Sequence, residues 1–164
     1  MELAERCKNI KLLLLDVDGV LTDGRLYFGP TGEALKAFFV RDGEGLKLWH
    51  RAGFRSGIIS GRKSEIVNLR GGQLGIELIK QGYDEKHLAL EEIVAEAGVS
   101  AEECAFVGDD TPDIEVFERV GLAVAAADAH EEVRWAAHYI TKAAGGRGAV
   151  REVIDMILKA RSSA

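Results

Sequence analysis

The sequence predicts an α/β fold built on a doubly wound parallel sheet, and three observations carry that expectation. Short apolar runs of strand length alternate with stretches of helical character, joined by loops of a few residues. The first run, Leu12-Leu-Leu-Leu15, is apolar at every position, as a strand covered on both faces requires. Several runs end in acids or a hydroxyl, and the carboxyl ends of the strands are where open α/β sheets place their ligands.

Residues 2–8 read as one helical turn leading into the first strand. After Asp16-Val-Asp-Gly19, the turn formers of Val20-Leu-Thr-Asp-Gly24 predict a loop. Residues 25–28 and 34–40 read as a β-hairpin joined by Gly29-Pro-Thr-Gly-Glu33, projecting from the sheet near the acidic tip. A helix is expected over 46–52, with Asp42 as its N-cap and Gly53 as its stop. Residues 54–60 form the second core strand. Ser64 then caps a helix that Gly71-Gly72 weaken at its end, each by about 1 kcal/mol against alanine. The third strand is 77–80, Gln81-Gly82 turns the chain, and Asp84 caps a helix that reaches Ala97 and closes at Gly98. The fourth strand, 104–107, leads into Gly108-Asp-Asp-Thr-Pro-Asp113, with Pro112 in the first turn of a helix ending at Arg119. Leu122–Ala125 is a fifth strand, 138–141 a sixth, and 149–159 a terminal amphipathic helix. This is a Rossmann-like order, expected as a single domain over 1–164 with the hairpin of about 25–40 as a flap.

Composition narrows the function classes. With 47% hydrophobic and 29% charged residues in 164, the chain is an ordinary globular protein with room for one good core. A formal net charge of −6 argues against general binding to nucleic acid or anionic membranes. Cys7 and Cys104 belong to no CxxC or Cys/His cluster and read as reduced thiols. No signal-peptide pattern or bilayer-length apolar run is present, so the expected compartment is the cytoplasm.

Chemistry concentrates at the strand ends. Asp16 and Asp18 close the first strand, Ser60 the second, and Asp109, Asp110 and Asp113 follow the fourth; Lys86 lies just past the third. Paired acids at a buried strand tip repel one another and call for a cation, and oxygen ligands without a His or Cys cluster favour Mg²⁺ over zinc. Taken singly, a DxD is usually a turn, a Ser after a strand a cap, and a GDD a tight turn; together, at successive strand ends, they form a constellation. Its chemistry would be phosphoryl transfer. Asp16 acts as a carboxylate nucleophile, and Asp18 gives a proton to the leaving oxygen and later activates water. Ser60 and Lys86 hold phosphoryl oxygens, and Asp109 completes the metal ligands. Asp110 and Asp113 orient Lys86 or metal-bound water.

These residues resemble the four motifs of the haloacid dehalogenase (HAD) superfamily of phosphatases: Asp16-Val-Asp-Gly-Val20, the Ser60 hydroxyl, Lys86 and Gly108-Asp-Asp-x-x-Asp113. Longer runs extend the resemblance over almost the whole chain to the capless 3-deoxy-D-manno-octulosonate 8-phosphate (KDO 8-phosphate) phosphatase family. They are residues 15–24, 40–43, 59–62, Gln81-Gly82 with Lys86, and residues 107–110, 127–130 and 145–149. The resemblance implies Mg²⁺-dependent hydrolysis to KDO and inorganic phosphate through a phospho-aspartate on Asp16, in lipopolysaccharide precursor synthesis. It implies Asp16, the Asp18 backbone carbonyl and Asp109 as metal ligands. It implies substrate contacts from Asp18, Phe39, Val40, Arg41, Asp42, Gly43, Lys47, Arg62, Arg70 and Lys86, the basic ones suiting a sugar acid that carries both carboxylate and phosphate. Four positions depart from relatives: Ser60 stands where many have threonine, Phe39 where some have asparagine, and Gly71-Gly72 where better helix formers are usual.

The resemblance also implies a homotetramer in which hairpins assemble centrally and a neighbour helps close each site. That would cover the apolar Leu26, Tyr27, Phe28, Phe38 and Phe39 of an otherwise exposed hairpin. Gly145-Gly-Arg147-Gly148 either places Arg147 over an adjacent pocket or is a simple loop before the last helix. Three competing functions follow from the same residues. A nine-carbon keto-deoxy sugar acid 9-phosphate is an alternative substrate, though Arg62 after Ser60-Gly61 favours KDO 8-phosphate. A phosphorylated receiver domain is rejected by order, because residues 77–80 carry no Asp and the Asp triplet follows Lys86. A catalytically idle oligomerisation module is disfavoured by four intact motifs.

Overall fold

The computed structural model describes residues 1–162. Strand β1 (Leu12–Leu15) lies inside a six-stranded parallel sheet, between β4 (Arg55–Ser60) and β6 (Cys104–Gly108). Beyond β4 lies β5 (Leu78–Gln81); beyond β6 lie β7 (Leu122–Ala125) and the two-residue β8 (Tyr139–Ile140), giving the order β5-β4-β1-β6-β7-β8. The four leucines of β1 are essentially unexposed, and alternation sends them to opposite cores. Leu13 and Leu15 meet α1 (Leu3–Asn9), α2 (Val40–Arg51), α3 (Glu65–Leu74) and α7 (Ala149–Ser162). Leu12 and Leu14 meet the core of α4 (Lys86–Ala97), α5 (Ile114–Phe117) and α6 (Glu131–Ala136). A run apolar at every position is therefore what a strand between two helical layers needs.

The hairpin is shorter than expected. It pairs β2 (Tyr27–Gly29) with β3 (Gly32–Leu35), antiparallel and with an irregularity at Tyr27/Phe28, as a separate two-stranded sheet. Helix α2 starts at Val40, six residues before the expected start, with Phe39 in the N-cap position. Two glycines caused the misreading. Gly43 and Gly45 lie inside the helix because other side chains approach it there: a Cβ on Gly43 would meet Arg70 Nη2 at 2.7 Å, and one on Gly45 would meet Arg151 Cδ at 2.9 Å. Asp42, expected as this helix's N-cap, instead serves another helix. It is 1% exposed, and its Oδ1 accepts the N–H of Arg151 at 2.9 Å, covering one of the open donors at the start of α7.

Similar reasons govern the other differences. Ser64 does occupy the N-cap position of α3, but its hydroxyl turns to Glu33 of the hairpin. Gly71-Gly72 do not end α3, which runs to Leu74; a Cβ on Gly71 would lie 2.5 Å from Ile79 Cδ1, so this glycine lets the helix sit on the sheet. The N-cap of α4 is Glu85, one residue past Asp84. The expected helix after Pro112 is divided into a 3₁₀ turn, Thr111–Asp113, and the short α5. Helix α6 was not foreseen, since six residues give little periodicity to read. Among the described residues, no helix is long and apolar enough to cross a membrane.

Replacing Asp42 by alanine is expected to lower stability by about 1–3 kcal/mol, the usual cost of leaving a buried donor unpaired. Urea or thermal unfolding of Asp42→Ala measures this, and an unchanged midpoint would show that α7 is capped without Asp42.

Candidate active site

The tips of β1, β4 and β6 meet at one cleft of about 420 Å³, bordered by Asp16, Asp18, Ser60, Arg62, Lys86 and Asp109. Asp16 still follows the strand, its N–H bonding Val107 O at 3.0 Å. The residue is 7% exposed; Oδ1 accepts from the N–H of Val17 at 2.7 Å and Oδ2 from Lys86 Nζ at 2.8 Å. The chain must then leave the strand sharply. Gly19 turns it with φ of +88°, and any Cβ there would overlap the Asp109 carboxylate, so both backbone and space require glycine.

Asp113 organises the opposite wall. Fully buried, it accepts from Lys86 Nζ at 2.6 Å through Oδ1, and from the N–H groups of Asp109 and Asp110 at 2.8 and 3.2 Å through Oδ2. It thereby fixes both the lysine and the loop that presents Asp109. Asp110 plays no such part: it is exposed, and its Oδ1 accepts from the Thr111 N–H to cap the 3₁₀ turn. Of the two roles expected of Asp110, contact with Lys86 is absent among the described residues, because Lys86 Nζ is taken by Asp16 and Asp113; its carboxylate still borders the cleft.

The cluster is rich in negative charge. Burial above all, with repulsion from Asp113, pushes the Asp16 carboxyl up to about 7 despite the nearby Lys86. Burial and then the Asp16 and Asp113 carboxylates push Asp109 to about 8. Burial alone would lower the Lys86 pKa, but those same two acids hold its ammonium above the ordinary lysine range. One oxygen each from Asp16, Asp109 and Asp113 lies within 4.8 Å of the others. Asp113 already serves three donors, whereas Asp109 Oδ1 is buried with no hydrogen-bond partner. Three carboxylates against one ammonium leave two negative charges, which one divalent cation would match. All-oxygen donors suit a hard cation such as Mg²⁺.

The remaining expected residues divide between two places. Asp18 is half-buried in the cleft, its Oδ2 3.9 Å from Arg62 Nε and its Oδ1 2.6 Å from Lys36 Nζ. Ser60, 3% exposed, ends β4, and its carbonyl accepts from the Gly82 N–H at 2.9 Å. Arg62 is exposed, with its guanidinium 5.9 Å from the centre of the Phe28 ring of the hairpin. In contrast, Val40, Gly43, Lys47 and Arg70 border a second depression of about 300 Å³. Phe39 is half-buried at the start of α2, and Arg41 is exposed. Asp42, also expected as a substrate contact, is buried against α7 and borders neither depression. The Gly145–Gly146 stretch packs backbone to backbone on the loop after Asp18: Gly146 N–H donates to Val20 O and Gly145 N–H to Asp128 Oδ1, both at 2.9 Å. Arg147 stands exposed beside it.

Sequence reasoning missed Lys36, Glu33, Tyr83 and Asp84. Tyr83 and Asp84 border the cleft, and Lys36 and Glu33 reach its rim from the hairpin. The signal for Lys36 was weak: one lysine among apolar hairpin residues reads as solvent-facing.

Known proteins share this fold and much of this sequence. A family model for haloacid dehalogenase-like hydrolases matches residues 54–154. The 3-deoxy-D-manno-octulosonate 8-phosphate phosphatase of Escherichia coli K12 is 47% identical over 156 residues, covering 95% of this chain and 83% of that protein. The cobalt-bound deoxy-D-mannose-octulosonate 8-phosphate phosphatase of Haemophilus influenzae superposes with a TM-score of 0.94 at 43% identity, covering 96% and 92% of the two chains. The 3-deoxy-D-manno-octulosonate 8-phosphate phosphatase of Moraxella catarrhalis, solved in complex with magnesium, phosphate and KDO, gives 0.94 at 40% identity, covering 98% and 92%. With an acidic cleft at the strand tips and such similarity over nearly its full length, the chain belongs to the haloacid dehalogenase-like hydrolases and, within them, to the KDO 8-phosphate phosphatase family.

Proposed function

We propose that this protein hydrolyses KDO 8-phosphate to KDO and inorganic phosphate with Mg²⁺, supplying KDO for lipopolysaccharide precursors. The observation that carries the reading is the meeting of Asp16, Asp18, Ser60, Lys86 and Asp109 at one cleft. Asp16, the Asp18 backbone carbonyl and Asp109 would hold Mg²⁺, which would supply positive charge to keep both carboxyls ionised and offset phosphate repulsion.

Asp16 then attacks phosphorus with a carboxylate oxygen while the bond from phosphorus to the sugar oxygen breaks. Asp18 delivers its proton to that leaving oxygen. In the second step Asp18 takes a proton from water, which attacks the phosphorus of the aspartyl phosphate and frees Asp16 and phosphate. The Ser60 hydroxyl and the Lys86 ammonium hold phosphoryl oxygens, Lys86 being locked in place by Asp113. Arg62 contacts the substrate from the rim of the cleft.

Phe39 at the start of α2, Val40, Arg41, Gly43 and Lys47 within it, and Arg70 of α3 act from a neighbouring copy in a homotetramer, and Asp42 holds α2 on α7. Three features support this. The Arg70 depression is separate from the Asp16 cleft, Arg70 Nε is buried with no hydrogen-bond partner, and Phe28, Leu35 and Val40 expose apolar surface. The expected compartment remains the cytoplasm, in keeping with two buried free thiols. A nine-carbon sugar-acid phosphate is the second reading, and Arg62 at the cleft favours KDO 8-phosphate over it.

With Mg²⁺, kcat/KM for KDO 8-phosphate should exceed that for nine-carbon 9-phosphates and hexose phosphates by about tenfold or more. Equal values would overturn the substrate assignment. Asp16→Asn should lose at least about a thousandfold in phosphate release. The ion should also reveal itself through pH. Without it, the raised Asp16 and Asp109 values mean that the folded protein retains protons the unfolded chain has released, so stability falls as pH rises from about 4 to about 8. Mg²⁺ relieves that penalty, so the gain in Tm on adding it should be larger at pH 8 than at pH 6; equal gains would mean that both acids ionise without the ion.

A further inference from the structure

Lys36 lies one residue past β3, between Leu35 and Ala37, both exposed. A lysine in such a segment normally extends into water, and full burial of its side chain is rare unless it is paired. Here the side chain is 1% exposed. Its Nζ lies 2.6 Å from Asp18 Oδ1 and 3.0 Å from Glu33 Oε1. Glu33 is itself held: the Ser64 hydroxyl donates to the same Oε1 at 3.3 Å. Ser64 is clasped to the sheet edge by Gln81, whose Oε1 accepts the Ser64 N–H at 2.9 Å and whose amide donates to Ser64 O at 3.2 Å. A continuous chain of polar contacts thus runs from β5 through Ser64, Glu33 and Lys36 to one oxygen of Asp18.

We propose that Lys36 is a positioning residue for Asp18. By holding Oδ1, it leaves Oδ2 as the oxygen that faces the leaving group, and Arg62 Nε at 3.9 Å is too distant to hydrogen-bond Oδ2 in its place. The hairpin then takes part in proton delivery as well as offering surface to other copies. As Asp16 bonds to phosphorus and the bond to the substrate oxygen breaks, the proton passes from Asp18 Oδ2 to that oxygen. Lys36 keeps its own protons, and its ammonium at Oδ1 matches the charge left on Asp18. This rests on the phosphatase reading and on Asp18 as the proton donor.

The leaving group separates this role from a structural one. A sugar alkoxide needs a proton to depart, whereas p-nitrophenolate does not, and kcat/KM reports the steps through the first cleavage. Lys36→Met should lower kcat/KM by about 10- to 100-fold on KDO 8-phosphate but by less than about threefold on p-nitrophenyl phosphate. Lys36→Arg should retain most activity on both. Glu33→Gln, which loosens the lysine without removing it, should shift the ratio of the two substrates in the same direction by less. Equal losses on both substrates, or none, would overturn the proposal, and size-exclusion profiles and Tm values matching the wild type would show that neither assembly nor folding explains the loss. A wild type that prefers another sugar phosphate overturns only the substrate assignment, and the Lys36 comparison is then read on that phosphate. A wild type that cleaves no phosphate ester overturns both.

Discussion

Three carboxylates around one ammonium form the constraint on which the rest of the site depends. Asp16 ends β1, Asp113 lies in the turn after β6, and Lys86 begins α4, yet Lys86 Nζ bonds both acids within 2.8 Å. Burying such a group is costly unless every charge is met. Lys86 meets part of it, and the N–H groups of Asp109 and Asp110 satisfy the second oxygen of Asp113. What remains unmet is Asp109 Oδ1 and the excess of two negative charges. A divalent cation would meet that deficit, because its two positive charges match the excess. Stability is thereby given up at the place where chemistry needs an activated carboxylate.

Around this cluster the fold uses close backbone contact to hold loops that have no room for packing side chains. Gly19 passes against Asp109, and Gly145–Gly146 pack on the loop that follows Asp18. Asp42 ties α2 to α7, so the helix that begins directly after the hairpin is anchored to the last helix of the protein. The hairpin is therefore tethered along its second strand and at its exit. Ser64 and Lys36 hold it to the cleft, and α2 holds its exit. A flap so fastened keeps a fixed relation to Asp18.

Much of this was legible in the residues. All-apolar Leu12–Leu15 and the short loops between alternating runs led to the parallel sheet, and the strand Leu122–Ala125 was read with its observed bounds. Acids, hydroxyl and lysine at successive strand ends were readable because strand tips in such sheets lie on one rim. What misled was glycine and proximity. Gly43 and Gly45 were read outside the second helix and Gly71 as weakening the next one, but each lies where another element packs against a helix, a reason local propensity does not contain. Asp42 read as the cap of its own helix, and it caps one that begins 107 residues later, at Ala149.

Sequence alone therefore determined the fold class, the order of the strands' chemistry, and the acids that stand at the strand tips, because periodicity and spacing are local properties of the chain. Tertiary structure alone decided which of those acids are engaged. It assigned Asp113 to Lys86, left Asp109 Oδ1 without a partner, turned Asp110 to a cap, and brought Lys36 onto Asp18. Those outcomes depend on which side chains a folded loop brings within 3 Å of one another, and that distance has no signature in the order of residues.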